Sequence, residues 1–117
     1  MRITIKRSGN RTAVLVSFSA HSERFESNYE RNRFYSGLYG RAQRVRHGRD
    51  VYNYRREGLL DEVPHIKVDS SVFIVALQEM ERILQYMRDW QPKIEYKAFQ
   101  VMLEPDELKM LEKGAEE

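Results

Sequence analysis

The chain of 117 residues contains no cysteine. That absence excludes a disulfide framework, a thiolate zinc site and a thiol nucleophile, and it fits a reducing compartment. No run approaches the ~20 consecutive apolar residues that span a bilayer. The opening "MRITIKRSGN" alternates polar and apolar residues where a signal peptide would carry a continuous apolar core. A cytoplasmic protein that does not engage membranes is expected. Glycine and proline are sparse, at 6 and 3, and no linker, repeat or low-complexity tract interrupts the chain. Residues 1–117 therefore read as a single α+β domain with fraying at Gly114–Glu117. The GxxxxGK[ST] phosphate loop, the GxGxxG fingerprint and the GxSxG motif are all missing, which argues against nucleotide-dependent chemistry. His21, His47 and His65 are far apart and form no HxxxH pair. "DEVPH" gathers Asp61, Glu62 and His65, but Pro64 breaks any helix that would align them, so neither a metal nor another cofactor is expected.

What is present in excess is arginine, and it lies on one side of the chain. Residues 1–57 carry 13 Lys+Arg against 5 Asp+Glu, whereas residues 58–117 carry 7 against 13. The net charge of +2 thus hides two halves of opposite sign. The cations also differ in kind, since all but one in the first half are arginine and most in the second are lysine. A guanidinium donates two parallel hydrogen bonds to phosphate or carboxylate and stacks on flat rings, so this bias suits recognition more than solubility.

Hydrophobic periodicity supplies the elements. Ile3 and Ile5 alternate with Arg2, Thr4 and Lys6, and after "SGNR" the phase resumes at Val14, Val16 and Phe18, which predicts a β-hairpin over residues 2–19. Ser22 can cap a helix over Glu23–Leu38 whose stripe is Phe25, Tyr29, Phe34, Tyr35 and Leu38. "HGRD" then turns "AQRVR" into "VYNYRR" as a second hairpin, and "HIKV" and "VFIV" follow as two short strands or one bulged strand. Ala76, Leu77, Met80, Ile83, Leu84 and Met87 mark one face of a helix stopped by Gln91-Pro92. "KIEYKAFQVML" reads as the last strand, and Pro105 opens a short C-terminal helix with Leu108 and Leu111 facing one way. The order predicts an α+β fold: a ferredoxin-like, βαββαβ-type antiparallel sheet with an extra N-terminal hairpin strand. Two helices would cover one sheet face and leave the other open to a ligand.

The stretch "GRAQRVRHGRDVYNYRR", Gly40 to Arg56, holds six arginines, two tyrosines and one histidine against a single aspartate. Nucleic-acid binding needs cations for phosphates and flat rings for unpaired bases, and this segment has both. With Val45 and Val51 turned inward, strand alternation groups Arg44, Arg46, Tyr52, Tyr54 and Arg56 on one exposed lattice. Arg41, His47 and Arg49 would extend it, Arg55 adds a further cation, and Arg31 and Arg33 would approach from the first helix. The expected function is a small non-enzymatic module that binds RNA or single-stranded DNA. The arginines would hold phosphates and Tyr52 and Tyr54 would stack on bases.

The βαββαβ order resembles the RNA-recognition motif, whose strand signature asks for a basic residue, a glycine and aromatics. "RDVYNYRR" supplies Arg49, Tyr52 and Tyr54 but has Asp50 at the glycine position. "SSVFIVALQEMERIL" resembles the strand-to-helix passage of small ferredoxin-like proteins of CRISPR adaptation, although Ser17, Ser19 and Ala20 stand where those proteins carry an acidic residue. Both are likenesses of fold and do not carry function. Two other functional classes compete with nucleic-acid binding. One is a homodimer or protein-interaction module whose basic face meets an acidic surface. The other is a metal-independent ribonuclease with His47 as its general acid or base.

Overall fold

Val14, Val16 and Phe18 alternate with Leu15, Ser17 and Ser19, and in the computed structural model, which describes residues 12–116, this run becomes the centre of a sheet. In chain order the elements are β1 (Thr12–Ala20), α1 (Asn28–Tyr39), β2 (Arg41–His47), β3 (Asp50–Arg56), β4 (His65–Asp69), β5 (Val72–Ala76), α2 (Met80–Asp89), β6 (Ile94–Met102) and α3 (Pro105–Glu116). Short 3-10 turns occupy Ser22–Arg24, Leu59–Glu62 and Leu77–Glu79. Four strands form one sheet in the order β4-β5-β1-β6, with every neighbouring pair antiparallel, and β2 and β3 form a separate two-stranded sheet.

The α+β class holds, but the strand order differs from the expected one because the basic hairpin is not part of the main sheet. "HIKV" and "VFIV" are instead two antiparallel strands, β4 and β5, with a register shift between Lys67 and Asp69. The strand expected at residues 2–6 lies outside the described residues. The strand it was to pair with, β1, already has β5 along one edge and β6 along the other.

The described residues fall into two compact units, one ending at His21 and resuming at Val63, the other spanning Ser22–Glu62. In the first unit, cross-strand register sets the two sheet faces. Val14, Val16 and Phe18 share a face with Phe73, Val75 and Tyr96, and the Phe18 and Phe73 rings lie 6.4 Å apart. α2 lies on this face: Ile83 and Met87 are fully buried, and Arg88 hydrogen-bonds Tyr96, the cross-strand partner of Phe18. That bond and a stronger one to Glu81 push the Arg88 guanidinium further above its ordinary range.

The other face was expected to be open, and part of it is covered by α3. Leu111 is buried with Ala13, Ala76 and Leu103, and Leu108 packs against that group beside Ile66, Ile74 and Val101. Pro105 sits at the first helical position, where its missing N–H leaves no bond unmade. Glu107 reaches back to accept from the Glu104 N–H at 3.0 Å. What remains uncovered on this face centres on Phe99, which is 53% exposed, and a shallow groove of about 290 Å³ lined by Ser17, Phe18, Ser19, Glu95, Tyr96 and Lys97.

The second unit begins with a correction to the helix start. Ser22 opens only a 3-10 turn, and the α-helix is capped by Ser27, whose Oγ accepts from the Glu30 N–H at 3.1 Å while Glu30 accepts from the Glu26 N–H at 2.8 Å. The reason is local: Ser27 is followed three residues later by a glutamate and Ser22 is not, so only at Ser27 does a carboxylate reach back over the cap, here to the N–H of the preceding residue, Glu26. Phe25, Phe34, Leu38 and Leu60 are the buried apolar side chains of this unit, with the Phe25 and Phe34 rings 6.4 Å apart. Among the described residues, no helix of the protein is long and apolar enough to cross a membrane.

Candidate nucleic-acid interface

β2 and β3 are joined by a two-residue loop, Gly48-Arg49, inside the closing pair His47↔Asp50. Gly48 has φ of 63°, a value that only glycine adopts without a steric penalty at the head of a tight hairpin. The turn fixes the register: Arg41↔Arg56, Ala42↔Arg55, Gln43↔Tyr54, Arg44↔Asn53, Val45↔Tyr52 and Arg46↔Val51. Residues directly opposite each other share a face, and alternate residues along a strand change face. One face therefore carries Arg41, Gln43, Val45, His47, Asp50, Tyr52, Tyr54 and Arg56. The other carries Ala42, Arg44, Arg46, Val51, Asn53 and Arg55.

This overturns the expected single lattice. Val45 and Val51 do not share an inward face, because a register summed across the two-residue loop pairs Val45 with Tyr52 instead. The hairpin also has no buried face, since no residue from Arg41 to Arg56 is buried. The sequence held a signal for this: arginines occupy both parities of the alternation, which a half-buried strand does not tolerate.

The rings form a row. Tyr52 and Tyr54 are 44% and 49% exposed, with centroids 6.4 Å apart and planes inclined by 33°, and His47 meets the Tyr52 ring edgewise at 5.6 Å. The arginines divide into two groups. The side chains of Arg41, Arg44, Arg46 and Arg49 make no hydrogen bond or ion pair with other described residues. Arg56 donates from Nε to the Gln43 side-chain oxygen on its own face. Arg55 is tied down through Nη2, which donates to the Tyr39 carbonyl at 2.9 Å and lies 2.9 and 2.8 Å from the two Asp61 carboxylate oxygens.

That last cluster anchors the base of the hairpin. Asp61 also accepts from the Gly58 N–H at 2.7 Å, and the Asp61 N–H donates to the Gly58 carbonyl at 3.1 Å. Gly40 ends α1 with φ of 80° and lets β2 leave beside the cluster. A Cβ there would lie 2.6 Å from the Arg56 carbonyl and 2.8 Å from the Asp61 carboxylate. Arg55 was expected on phosphate; in the structure its Nη2 is held at the base of the hairpin by Tyr39 and Asp61. Asp61 was weighed from sequence only as a metal ligand and Gln43 was not singled out, because the residues they bind lie 6 and 13 positions away.

Arg31 and Arg33 do not join the lattice. They are two positions apart on α1, which turns them to roughly opposite sides of the helix. Arg31 lies over the Tyr35 ring at 5.3 Å, and no bond or ring contact ties either arginine to the hairpin among the described residues. The other histidines are engaged elsewhere: His21 Nε2 is 2.7 Å from Glu95, and His65 Nδ1 is 3.0 Å from the Val63 carbonyl. Among the described residues no three His, Asp or Glu side chains cluster as a metal site would require. Compared with known proteins, the chain matches no family model, no curated protein and no solved structure.

Proposed function

We propose that the protein is a small nucleic-acid-binding module that uses the β2–β3 hairpin to hold RNA or single-stranded DNA. The observation that carries this reading is a hairpin exposed on both faces, with four arginine side chains that bond no other described residue and two half-exposed tyrosines in a row. Arg41, Arg44, Arg46 and Arg49 contact phosphates, Tyr52 and Tyr54 stack on bases, and Arg55 holds the hairpin in place without meeting the ligand. An exposed two-stranded ribbon gains little from burial, so a ligand that packs on its rings repairs a deficit that the fold leaves.

The test is affinity against salt. Two contacts, at Arg41 and Arg49, give a log-log slope of about −1.4 on a single strand stacked on the tyrosines, and a ligand that reaches all four arginines gives a slope of about −3. A salt-independent affinity, or no affinity for any oligonucleotide at low salt, would sink the reading.

The ferredoxin-like assignment belongs to the same proposal in a narrower form. If the basic hairpin is counted as an insertion after α1, the strands left in the main sheet follow as β1, β4, β5 and β6, and their spatial order β6-β1-β5-β4 is compatible with a split βαβ arrangement. The opposite charges of the two sequence halves support a second reading, a homodimer or acidic protein partner met by the same hairpin. Size-exclusion behaviour that shifts with salt while oligonucleotides stay unbound would favour it. Ribonuclease action by His47 is the third, and its minimum evidence is RNA cleavage lost in His47→Ala.

A further inference from the structure

The two faces of the hairpin differ in chemistry as well as in direction. On the face of Tyr52 and Tyr54, rings lie side by side and Arg41 stands at the far end of the same row. The opposite face holds Arg44 and Arg46 with Asn53 and Val51, and it has no aromatic side chain. Between them runs only the thickness of a two-stranded ribbon, with side chains projecting away on either side. A single strand whose bases lie on the tyrosines can reach Arg41 at one end and Arg49 at the loop. It cannot also bring its phosphates to Arg44 and Arg46, which point the other way.

Arg44 and Arg46 are exposed and unpaired among the described residues, whereas Arg55 on the same face is consumed by Asp61. A face of unpaired guanidinium groups with no stacking surface suits a backbone whose bases are already paired. The face with rings suits bases that are not.

We infer that the ligand is a junction in which unpaired strand meets duplex, with the unpaired bases on Tyr52 and Tyr54 and the duplex backbone against Arg44 and Arg46. The ribbon then sits in the fork between the two arms, with Arg49 at its leading loop. This inference rests on the nucleic-acid reading proposed above and specifies its substrate.

Three labelled oligonucleotides of equal length test it by fluorescence anisotropy at one fixed salt concentration: a single strand, a blunt duplex and a duplex with an unpaired arm. The forked molecule binds tighter than either simple one by about tenfold or more, the factor expected when stacking of even one base is added to backbone contacts. Tyr52→Ala with Tyr54→Ala lowers the fork to the affinity of the blunt duplex and leaves the blunt duplex unchanged. Arg44→Gln with Arg46→Gln lowers the fork to the affinity of the single strand and leaves the single strand unchanged. Unchanged thermal unfolding of both variants shows that the effects arise at the surface. Equal affinity for the fork and the better simple ligand overturns the inference but leaves the nucleic-acid reading standing, as does a proportional loss on all three ligands in both variants. Absence of binding to all three overturns both.

Discussion

Tyr39 shows how a single side chain in the second unit links the fold to pH. Its carbonyl accepts from Arg55, and burial, reinforced by the nearby Tyr35, pushes its phenol up from 10.0 to about 12. Above pH 10 the unfolded chain loses this proton first while the folded chain retains it, so the unfolded state gains and stability falls until the folded phenol also ionises near pH 12. Tyr39→Phe should flatten that alkaline fall, as read from urea midpoints at a series of pH values through this window. An unchanged slope would mean that other groups carry it. At this scale the sequence was informative about residue type and uninformative about partners. Arg55 and Arg46 look alike in "GRAQRVRHGRDVYNYRR", yet the side chain of one is held by Asp61 and that of the other bonds no described residue. The difference lies in a contact made beyond the segment, where Gly58 and Asp61 fold back in a 3-10 turn.

Elements were read well where their own period decides them and poorly where pairing does. α2 was legible because Ile83 and Met87 fall on one side of a helix whatever lies beside it. The hairpin was legible as two strands and a turn, but alternation within each strand does not say which residue stands opposite which. The two-residue loop decides that, and a change of register by one would have brought Val45 opposite Val51. The anchor at the hairpin base yields a prediction at this scale. Asp61→Asn removes the charge from the Arg55 interaction while keeping the shape, and should lower stability by about 1 kcal/mol, the upper end for exposed ion pairs, because Arg55 is half-exposed. Gly40→Ala should cost more, since it adds about 1–2 kcal/mol of left-handed backbone strain to the collision at the Arg56 carbonyl. Urea unfolding checks both, and equal stability of Gly40→Ala and the parent would refute the close approach. For α3, Leu111→Ala should destabilise by about 2–5 kcal/mol and Met110→Ala, on the exposed side, by well under 1 kcal/mol. Similar losses at the two positions would mean that α3 is not docked on the sheet through Leu111.

For the whole molecule, charge segregation was visible in the sequence, but its distribution over side-chain pairs was not. In the acidic half, Glu81 is held by Arg88 at 2.5 Å and Glu79 by Arg82 at 3.9 Å, so α2 offers less unpaired negative charge than its composition suggests. Among the described residues the basic hairpin has no such compensation at Arg41, Arg44, Arg46 or Arg49. Raising salt should therefore weaken oligonucleotide binding far more than it alters the unfolding midpoint, because surface ion pairs contribute little to stability while released counterions dominate binding. Parallel titrations of affinity and thermal midpoint check this, and a midpoint that falls in step with affinity would contradict it. The pairing of β1 with β6 has a further consequence, for the order of events during synthesis. Thr12 meets Met102 and Ala20 meets Ile94, so the central strand of the main sheet waits for a partner that is translated only after α2. The Ser22–Glu62 unit is contiguous in sequence and can close while that strand is still waiting, because non-local strand pairing has to bear the entropy of closing a long loop.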